Sequence, residues 1–177
     1  MTLNKNASAI LITIVLFLSA ACTKPAGDTN PSSGGTGEPP RIASIDVVKA
    51  TPEEISLAKG ESGYAIVRLQ IRNGYHVNAN PPTFPYLKAT ELEVTPANGI
   101  SVDFVSYPDA LTKKFSFADE PLKVYEGETV VKAMLKAGPS APTGKHNLSA
   151  KLRVQACDDT VCYPPGVMDV TVPVAVK

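Results

Sequence analysis

The chain of 177 residues contains no tryptophan, only three cysteines and two histidines, and it carries no formal net charge. Without an excess of basic residues it lacks the electrostatic footprint of a nucleic-acid-binding protein. No G-x-S-x-G elbow occurs, and His76 and His146 lie too far apart for a His-rich metal motif, which argues against a hydrolase. The missing tryptophan excludes the Cys…Trp…Cys pattern of antibody domains. The cysteines are therefore the main candidates for functional residues.

Long apolar runs are also scarce, and the longest one, at residues 9–18, is too short to span a bilayer. It follows Lys5 and leads into Ser19, Ala20, Ala21 and Cys22. This pattern resembles the lipobox of bacterial lipoproteins. It predicts a signal peptide over residues 1–21, cleavage before Cys22, and a lipid on that cysteine. The open alternative is ordinary secretion that leaves Cys22 as a free thiol, and in either case we expect the bacterial cell envelope.

Residues 22–40 are rich in Pro, Gly, Ser and Thr. Such a composition cannot bury a core, so we expect a disordered linker whose ends lie on the order of 24 Å apart on average. A lipid at Cys22 would hold the folded part near a bilayer while leaving it free to reorient. The remaining residues, 41–177, have the length of a single domain.

Strict alternation is the dominant pattern of that domain. In "YAIVRLQIRN" the apolar Ala65, Val67 and Leu69 fall on one face, while Arg68 and Gln70 fall on the other, as in a half-buried antiparallel strand. Similar strands are predicted at 42–48, 54–57, 90–95, 100–107, 128–136, 145–156 and 168–176. Pro173 predicts an edge position for the last of them. About eight short strands separated by turn signals indicate an all-β fold, an immunoglobulin-like antiparallel β-sandwich.

The most informative segment is "VQACDDTVCYPP" at 154–165. Counting in steps of two from Lys151 and Arg153 places Cys157 on the polar face of its strand, and therefore outward. Residues 158–161 have the length of a hairpin connection, so Cys162 would begin the returning strand opposite Cys157. Facing residues of a hairpin lie within disulfide range.

Three interpretations of the pair remain open at this point. A structural staple would stabilise by roughly 2 kcal/mol because it closes a short loop. A metal site would need His76 as a further ligand, and a redox pair would need a partner surface. Asp158 and Asp159 place negative charge beside the sulfurs, which disfavours a thiolate. We therefore expect slow exchange with random thiols.

The segments "GYHVNANPP", "VSYPDA", "VYEGETVV" and above all "VQACDDTVCYPP" make residues 45–176 resemble the periplasmic N-terminal domain of the thiol:disulfide interchange protein DsbD. The resemblance implies a redox-active pair, Cys157 and Cys162, with Cys162 facing the partner and with no cofactor. It implies electron transfer from a membrane-embedded thiol reductase to periplasmic disulfide oxidoreductases or isomerases. If catalytic, the chain would be of the protein-disulfide reductase type.

The resemblance also implies an active-site environment. The stretch 113–125 would correspond to the family's cap loop, and Asp119 and Glu120 resemble the acidic start of that loop. Phe115 or Phe117 would replace the aromatic residue that the family carries just after the acidic pair. His76 and Asn78 occupy positions where relatives place tyrosines near the sulfurs. His76 would assist proton transfer, unless it is a half-buried sheet histidine satisfied by a backbone group. Tyr163 would be either a docking aromatic or sandwich packing.

The family protein adds membrane helices and a thioredoxin-like domain, which this sequence does not show. We therefore expect a stand-alone version of the first domain that takes electrons from another polypeptide. The competing interpretation from another functional class is an envelope-tethered immunoglobulin-like binding module whose hairpin disulfide is purely structural.

Overall fold

A computed structural model describes residues 42–177, which belong to one compact unit. The predictions for residues 1–40, including the signal peptide, Cys22 and the linker, lie outside this range. The described residues form a 3-10 turn, Ser44–Val47, and twelve strands. The strands are β1 Val48–Pro52, β2 Ile55–Leu57, β3 Ser62–Ile71, β4 His76–Asn78, β5 Glu91–Val94, β6 Ile100–Ser106, β7 Leu111–Lys113, β8 Leu122–Tyr125, β9 Glu128–Ala137, β10 Gly144–Val154, β11 Ala156–Cys157 and β12 Gly166–Val176.

Two four-stranded sheets, β1-β3-β9-β6 and β2-β12-β10-β5, supply most of one shared core. All pairings within them are antiparallel except the one between β2 and β12. The alternating apolar residues of β3 point inward as predicted, and those of β10 and β12, such as Leu148, Leu152 and Val172, face the same core. Each such side chain contributes about 1.5–3 kcal/mol when it is fully buried. The predicted all-β, immunoglobulin-like antiparallel sandwich is confirmed.

A third sheet, β11-β4-β8-β7, carries the cysteines. β11 follows β10 after a single residue, Gln155, so one of the two longest strands of the sandwich leads directly into this small sheet. Beneath it lies a separate apolar cluster of Phe115, Leu122 and Val124. Within residues 42–177 no helix is long and apolar enough to cross a bilayer.

Two of the strand predictions need correction. Residues 44–47 form the 3-10 turn rather than a strand, because the Asp46 carboxylate accepts the N–H of Ala43 at 3.0 Å and the Asp46 N–H bonds the Ala43 carbonyl at 2.9 Å. β12 is an interior strand and not an edge strand. Its partner β2 pairs with it only from Val174 onward, so Pro173 lies where that side of the strand has no neighbour and where a missing N–H is tolerated.

Candidate functional site

Cys157 and Cys162 form a disulfide with their Cα atoms 3.9 Å apart. The two residues also make an isolated antiparallel bridge, so Cys162 does stand opposite Cys157 as the hairpin pattern predicted. The backbone itself therefore brings the two sulfurs together.

The prediction that Cys157 points outward is wrong, because its side chain is fully buried, with 0% exposure. The alternation of buried and more exposed residues holds through Ala156 and fails at Cys157, just after the chain leaves β10 at Gln155. Ala156 and Cys157 pair with β4 in the third sheet, and both are buried. Cys162 remains partly exposed. The pair is thus asymmetric, with one sulfur in the interior and one at the surface.

The hairpin loop is organised by the carboxylate of Asp158. Its Oδ1 accepts the backbone N–H of Thr160 at 2.7 Å, the Thr160 hydroxyl at 2.7 Å and the N–H of Val161 at 2.9 Å. Partial burial acts to raise the pKa of Asp158, but these bonds and one from the Tyr163 hydroxyl hold it well below its usual range. The negative charge of Asp158, which was expected to act on the sulfurs, is engaged in hydrogen bonds within the turn.

Tyr163 is held at both its main chain and its hydroxyl. Its N–H bonds the Ala156 carbonyl at 2.8 Å, and its hydroxyl donates to Asp158 Oδ2 at 2.5 Å. The bond to Asp158, followed by burial, raises the pKa of Tyr163 to about 12. The ring lies 6.1 Å from that of Tyr75. Tyr163 therefore braces the hairpin and also presents part of its surface beside Cys162.

His76 is directly opposite Cys157 in the pairing of β4 with β11. Its side chain is 3% exposed, and the contacts of its Nε2 are side chains rather than the backbone group considered above. Nε2 lies 2.9 Å from Glu126 Oε2 and 2.5 Å from Lys113 Nζ. Nδ1 is buried and has no hydrogen-bond partner within residues 42–177. The edge of the ring packs on Phe115, with the centroids 5.2 Å apart.

Asn78 is hydrogen-bonded to Gln155, two residues before Cys157. It is fully buried, and its Nδ2 donates to Gln155 Oε1 at 3.0 Å while its N–H bonds the Gln155 carbonyl at 3.1 Å. Gln155 is the residue at which the chain passes from β10 to β11. Asn78 therefore holds the crossing that turns Cys157 inward.

Ser44 is a site residue that sequence reasoning missed. Its side chain is fully buried; its Oγ accepts the N–H of Ala156 at 2.9 Å and donates to the Pro164 carbonyl at 2.6 Å. One hydroxyl thus joins the two strands of the cysteine hairpin just outside the disulfide. A serine in a segment that reads as a strand carries no sequence signal for this role.

The loop between β7 and β8, residues 114–121, rests on the cysteine hairpin. Ser116 Oγ donates to the Asp159 carbonyl at 2.8 Å, and Lys113 Nζ lies 3.8 Å from Asp159 Oδ1. Phe115 is 2% exposed and anchors the loop, whereas Phe117 is 39% exposed. Asp119 and Glu120 are at the surface of the same loop.

Two grooves meet at Cys162. A predominantly apolar groove of about 480 Å³ lies on one side, lined by Ile42, Ala43, Ser44, Val161, Cys162, Tyr163, Pro164, Pro165 and Gly166. A second groove of about 300 Å³ is lined by Phe84, Tyr86, Leu87, Phe117, Ala118, Asp119, Leu122 and Cys162. Phe117 and Asp119 of the predicted cap loop are thus brought beside the exposed cysteine.

The metal interpretation finds no support in this geometry. Within residues 42–177 no group of three or more His, Cys, Asp or Glu side chains is arranged to hold a metal ion. In the structure the two sulfurs are bonded to each other.

Two solved structures resemble the described fold. The N-terminal domain of DsbD from Neisseria meningitidis in the reduced form is 19% identical, with 74% of this chain and 88% of that chain covered and a TM-score of 0.48. The N-terminal periplasmic domain of ScsB from Proteus mirabilis is 18% identical, with 72% and 45% covered and a TM-score of 0.47. At such low identity neither structure assigns roles to residues of this chain. No match was found among curated proteins.

The comparison of sequence families is decisive. Residues 46–173 match the family described as thiol:disulfide interchange protein DsbD, N-terminal. This stretch includes both site cysteines and all twelve strands except the last three residues of β12. The chain therefore belongs to the family of the N-terminal domain of the thiol:disulfide interchange protein DsbD.

Proposed function

We propose that this chain is a thiol–disulfide exchange protein of the bacterial envelope that works through Cys157 and Cys162. It would take reducing equivalents from a membrane-embedded thiol reductase and pass them to periplasmic disulfide oxidoreductases or isomerases. The family membership supports exchange chemistry in general. The donor, the acceptor and the direction of transfer are part of the proposal.

The observation that carries the proposal is the unequal burial of the two sulfurs. Cys162 opens onto both grooves, whereas Cys157 is fully buried. A thiolate at Cys162 can attack a partner's disulfide and form a mixed disulfide, and Cys157 then displaces the partner by bonding to Cys162. An exposed attacking sulfur backed by an internal resolving sulfur is the arrangement that this sequence of steps requires.

The structural staple remains the second candidate, and the burial of Cys157 together with the hydrogen-bonded hairpin favours it. Closing so short a loop contributes roughly 2 kcal/mol at most. In this case the chain would be an envelope-tethered binding module. The two candidates differ in the reduction potential of the pair and in its rate of exchange, because structural disulfides are strongly reducing and slow.

The deciding experiment combines a redox titration with trapping. Wild-type protein is equilibrated with glutathione buffers, and Cys157→Ser protein, which retains Cys162, is expressed in the envelope. We expect reversible reduction of the pair and mixed disulfides with envelope oxidoreductases. A potential below about −300 mV, together with no trapped partner, would establish the staple instead. Cys162→Ser, which retains only the buried sulfur, is the matched control.

We also propose that residues 1–21 are a signal peptide, that Cys22 is lipidated, and that residues 22–40 tether a domain beginning at residue 41. The support is the sequence pattern alone. Mass spectrometry of the mature N-terminus from the membrane fraction tests it. A lipid-modified Cys22 is expected, and an unmodified N-terminus in the soluble periplasmic fraction would contradict it.

A further inference from the structure

We infer that His76 accepts the proton of Cys157 when the mixed disulfide is resolved, and returns it when the disulfide is reduced. This inference rests on the proposed exchange function and adds a named acid–base group to it.

The first support is the strand register. His76 and Cys157 are paired residues of two antiparallel strands, so their side chains project from the same face with Cβ atoms about 4.5–5.5 Å apart. His76 is also nine-tenths buried or more, and its Nδ1 has no hydrogen-bond partner within the described part of the chain. A buried ring nitrogen without a partner, on the residue that faces a buried cysteine, is suited to exchange a proton with it.

The second support is the need for such a group. The resolving cysteine reacts as a thiolate, and a low-dielectric interior disfavours the charged form. Cys157 is fully buried, so bulk water cannot serve as its base. An imidazole is the side chain best suited to take up and release a proton near neutral pH.

The third support is the pair of charged side chains on the opposite nitrogen. When Nε2 carries a hydrogen, Glu126 Oε2 at 2.9 Å accepts it, and Nδ1 is free to take a proton. When Nε2 is bare, the Lys113 ammonium at 2.5 Å donates to it, and Nδ1 carries the hydrogen to give. Lys113 is in turn 3.7 Å from Glu126 and 3.8 Å from Asp159. Each protonation state of the ring therefore has a partner in place.

Resolution of the mixed disulfide begins with a proton transfer. The Cys157 proton moves to His76 Nδ1, and the resulting thiolate attacks Cys162 Sγ in the mixed disulfide. The Cys157–Cys162 bond forms while the bond from Cys162 to the partner breaks, and the electron pair leaves on the partner's sulfur. The cysteine pair is oxidised and the partner's disulfide is reduced. The imidazolium, paired with Glu126, then loses its proton to solvent through the exposed Glu126 side.

The test uses the reduced full chain carrying Cys22→Ser, so that Cys157 and Cys162 are its only cysteines. The reagent is 5,5′-dithiobis(2-nitrobenzoate), whose coloured thiolate is released once when Cys162 attacks and again when Cys157 resolves. Stopped-flow traces are recorded from pH 5.5 to 9 for wild type and for His76→Gln, which can still meet Glu126 and Lys113 but cannot titrate. At pH 6.5 the second release is expected to slow at least tenfold and the first to change less than twofold. The difference in the rate of the second release between His76→Gln and wild type should become smaller toward pH 9, where hydroxide can replace His76 as the base. His146→Gln, at the other histidine, is the matched control and should follow wild type.

An equal second release in His76→Gln and wild type at every pH overturns the inference while leaving the exchange proposal intact. Absence of any release from the wild type would overturn both. If circular dichroism shows that His76→Gln is unfolded, Glu126→Gln replaces it, since Glu126 is half exposed. Losing the carboxylate that stabilises the imidazolium should slow the second release at least threefold at pH 6.5, and an unchanged second release would reject the inference.

Discussion

The hydroxyl of Tyr163 donates a 2.5 Å hydrogen bond to Oδ2 of Asp158, across the turn that connects the two cysteines. The bond joins the residue after Cys157 to the residue after Cys162, so it closes the hairpin a second time beside the disulfide. The same contact moves the pKa of both groups, and it is therefore visible in a titration.

Removing the carboxylate by Asp158→Asn should lower the pKa of Tyr163 from about 12 toward its ordinary value, because the charged acceptor is the largest cause of the shift. The stability that this contact gives through Tyr163 is complete below about pH 10, the ordinary value for tyrosine. It is lost as the pH rises through the folded value. An absorbance titration at alkaline pH measures the change, and Tyr163→Phe identifies the transition. A Tyr163 transition that does not move in Asp158→Asn would refute the assignment.

The stability that Asp158 contributes depends on pH in the opposite direction, because it is lost in acid. The folded pKa of Asp158 lies below that of an unfolded aspartate, about 3.9, so its contribution is present above that value and disappears as the pH falls through the folded one. Asp158→Asn should cost about 1 kcal/mol of unfolding free energy at pH 7, since the site is partly open to solvent. The deficit should shrink in acid. Urea unfolding at pH 7 and pH 2.5 measures both, with Asp103→Asn on the exposed face of β6 as the control.

Single-cysteine variants should differ strongly in thiol reactivity. Cys157→Ser leaves the partly exposed Cys162, whereas Cys162→Ser leaves a thiol in the interior. Because attack requires both access and a thiolate, we expect Cys162 to be alkylated by iodoacetamide at least tenfold faster than Cys157 in native protein. The rates should converge in denaturant. Equal rates in the native state would contradict the proposed division of roles.

Substitutions of Phe117 and Phe115 should separate the effect of the loop on access to the disulfide from its effect on the stability of the fold. Phe117 lines the groove at Cys162 and is partly exposed, so Phe117→Ala should speed reduction of the disulfide by dithiothreitol several-fold with little loss of stability. Phe115 is buried under the same loop, and Phe115→Ala should cost about 3–5 kcal/mol by leaving a cavity. Unchanged reduction kinetics in Phe117→Ala would remove any shielding role from the loop.

Ser44→Ala should loosen the hairpin from the other side. It leaves the N–H of Ala156 and the carbonyl of Pro164 without their shared partner, at a cost of about 1–3 kcal/mol for a buried group left unpaired. Thermal unfolding of the oxidised protein measures the loss. Ser149→Ala, at an exposed position of β10, is the matched control. Equal melting temperatures for the two variants would show that Ser44 contributes nothing.

Much of the sandwich follows from alternation alone. The long strands β3, β9 and β10 each bury one face, and a period of two suffices to recognise them. β4, β7 and β8 escaped prediction because each is short and none shows a clean alternation of buried and exposed residues. β4 is buried at every position, so its residues show no alternation to detect.

The disulfide of the candidate site could be predicted from the sequence, but the burial of Cys157 could not. The spacing of Cys157 and Cys162 indicated a hairpin disulfide, and the structure has it. The burial of Cys157 depends on β11 pairing with β4, a contact between distant segments that no local pattern encodes. Ser44 and Asn78 escaped assignment to their roles for the same reason, since each acts through a hydrogen bond to a residue far away in sequence.

Because Cys157 is fully buried, a partner can reach the pair only through the sulfur of Cys162. Under the proposed function, electron donor and electron acceptor would both have to reach Cys162, so they could not dock at the same time. The exchange would then follow ping-pong kinetics, in which one partner dissociates before the other binds. An excess of either partner would inhibit the reaction with the other by competition.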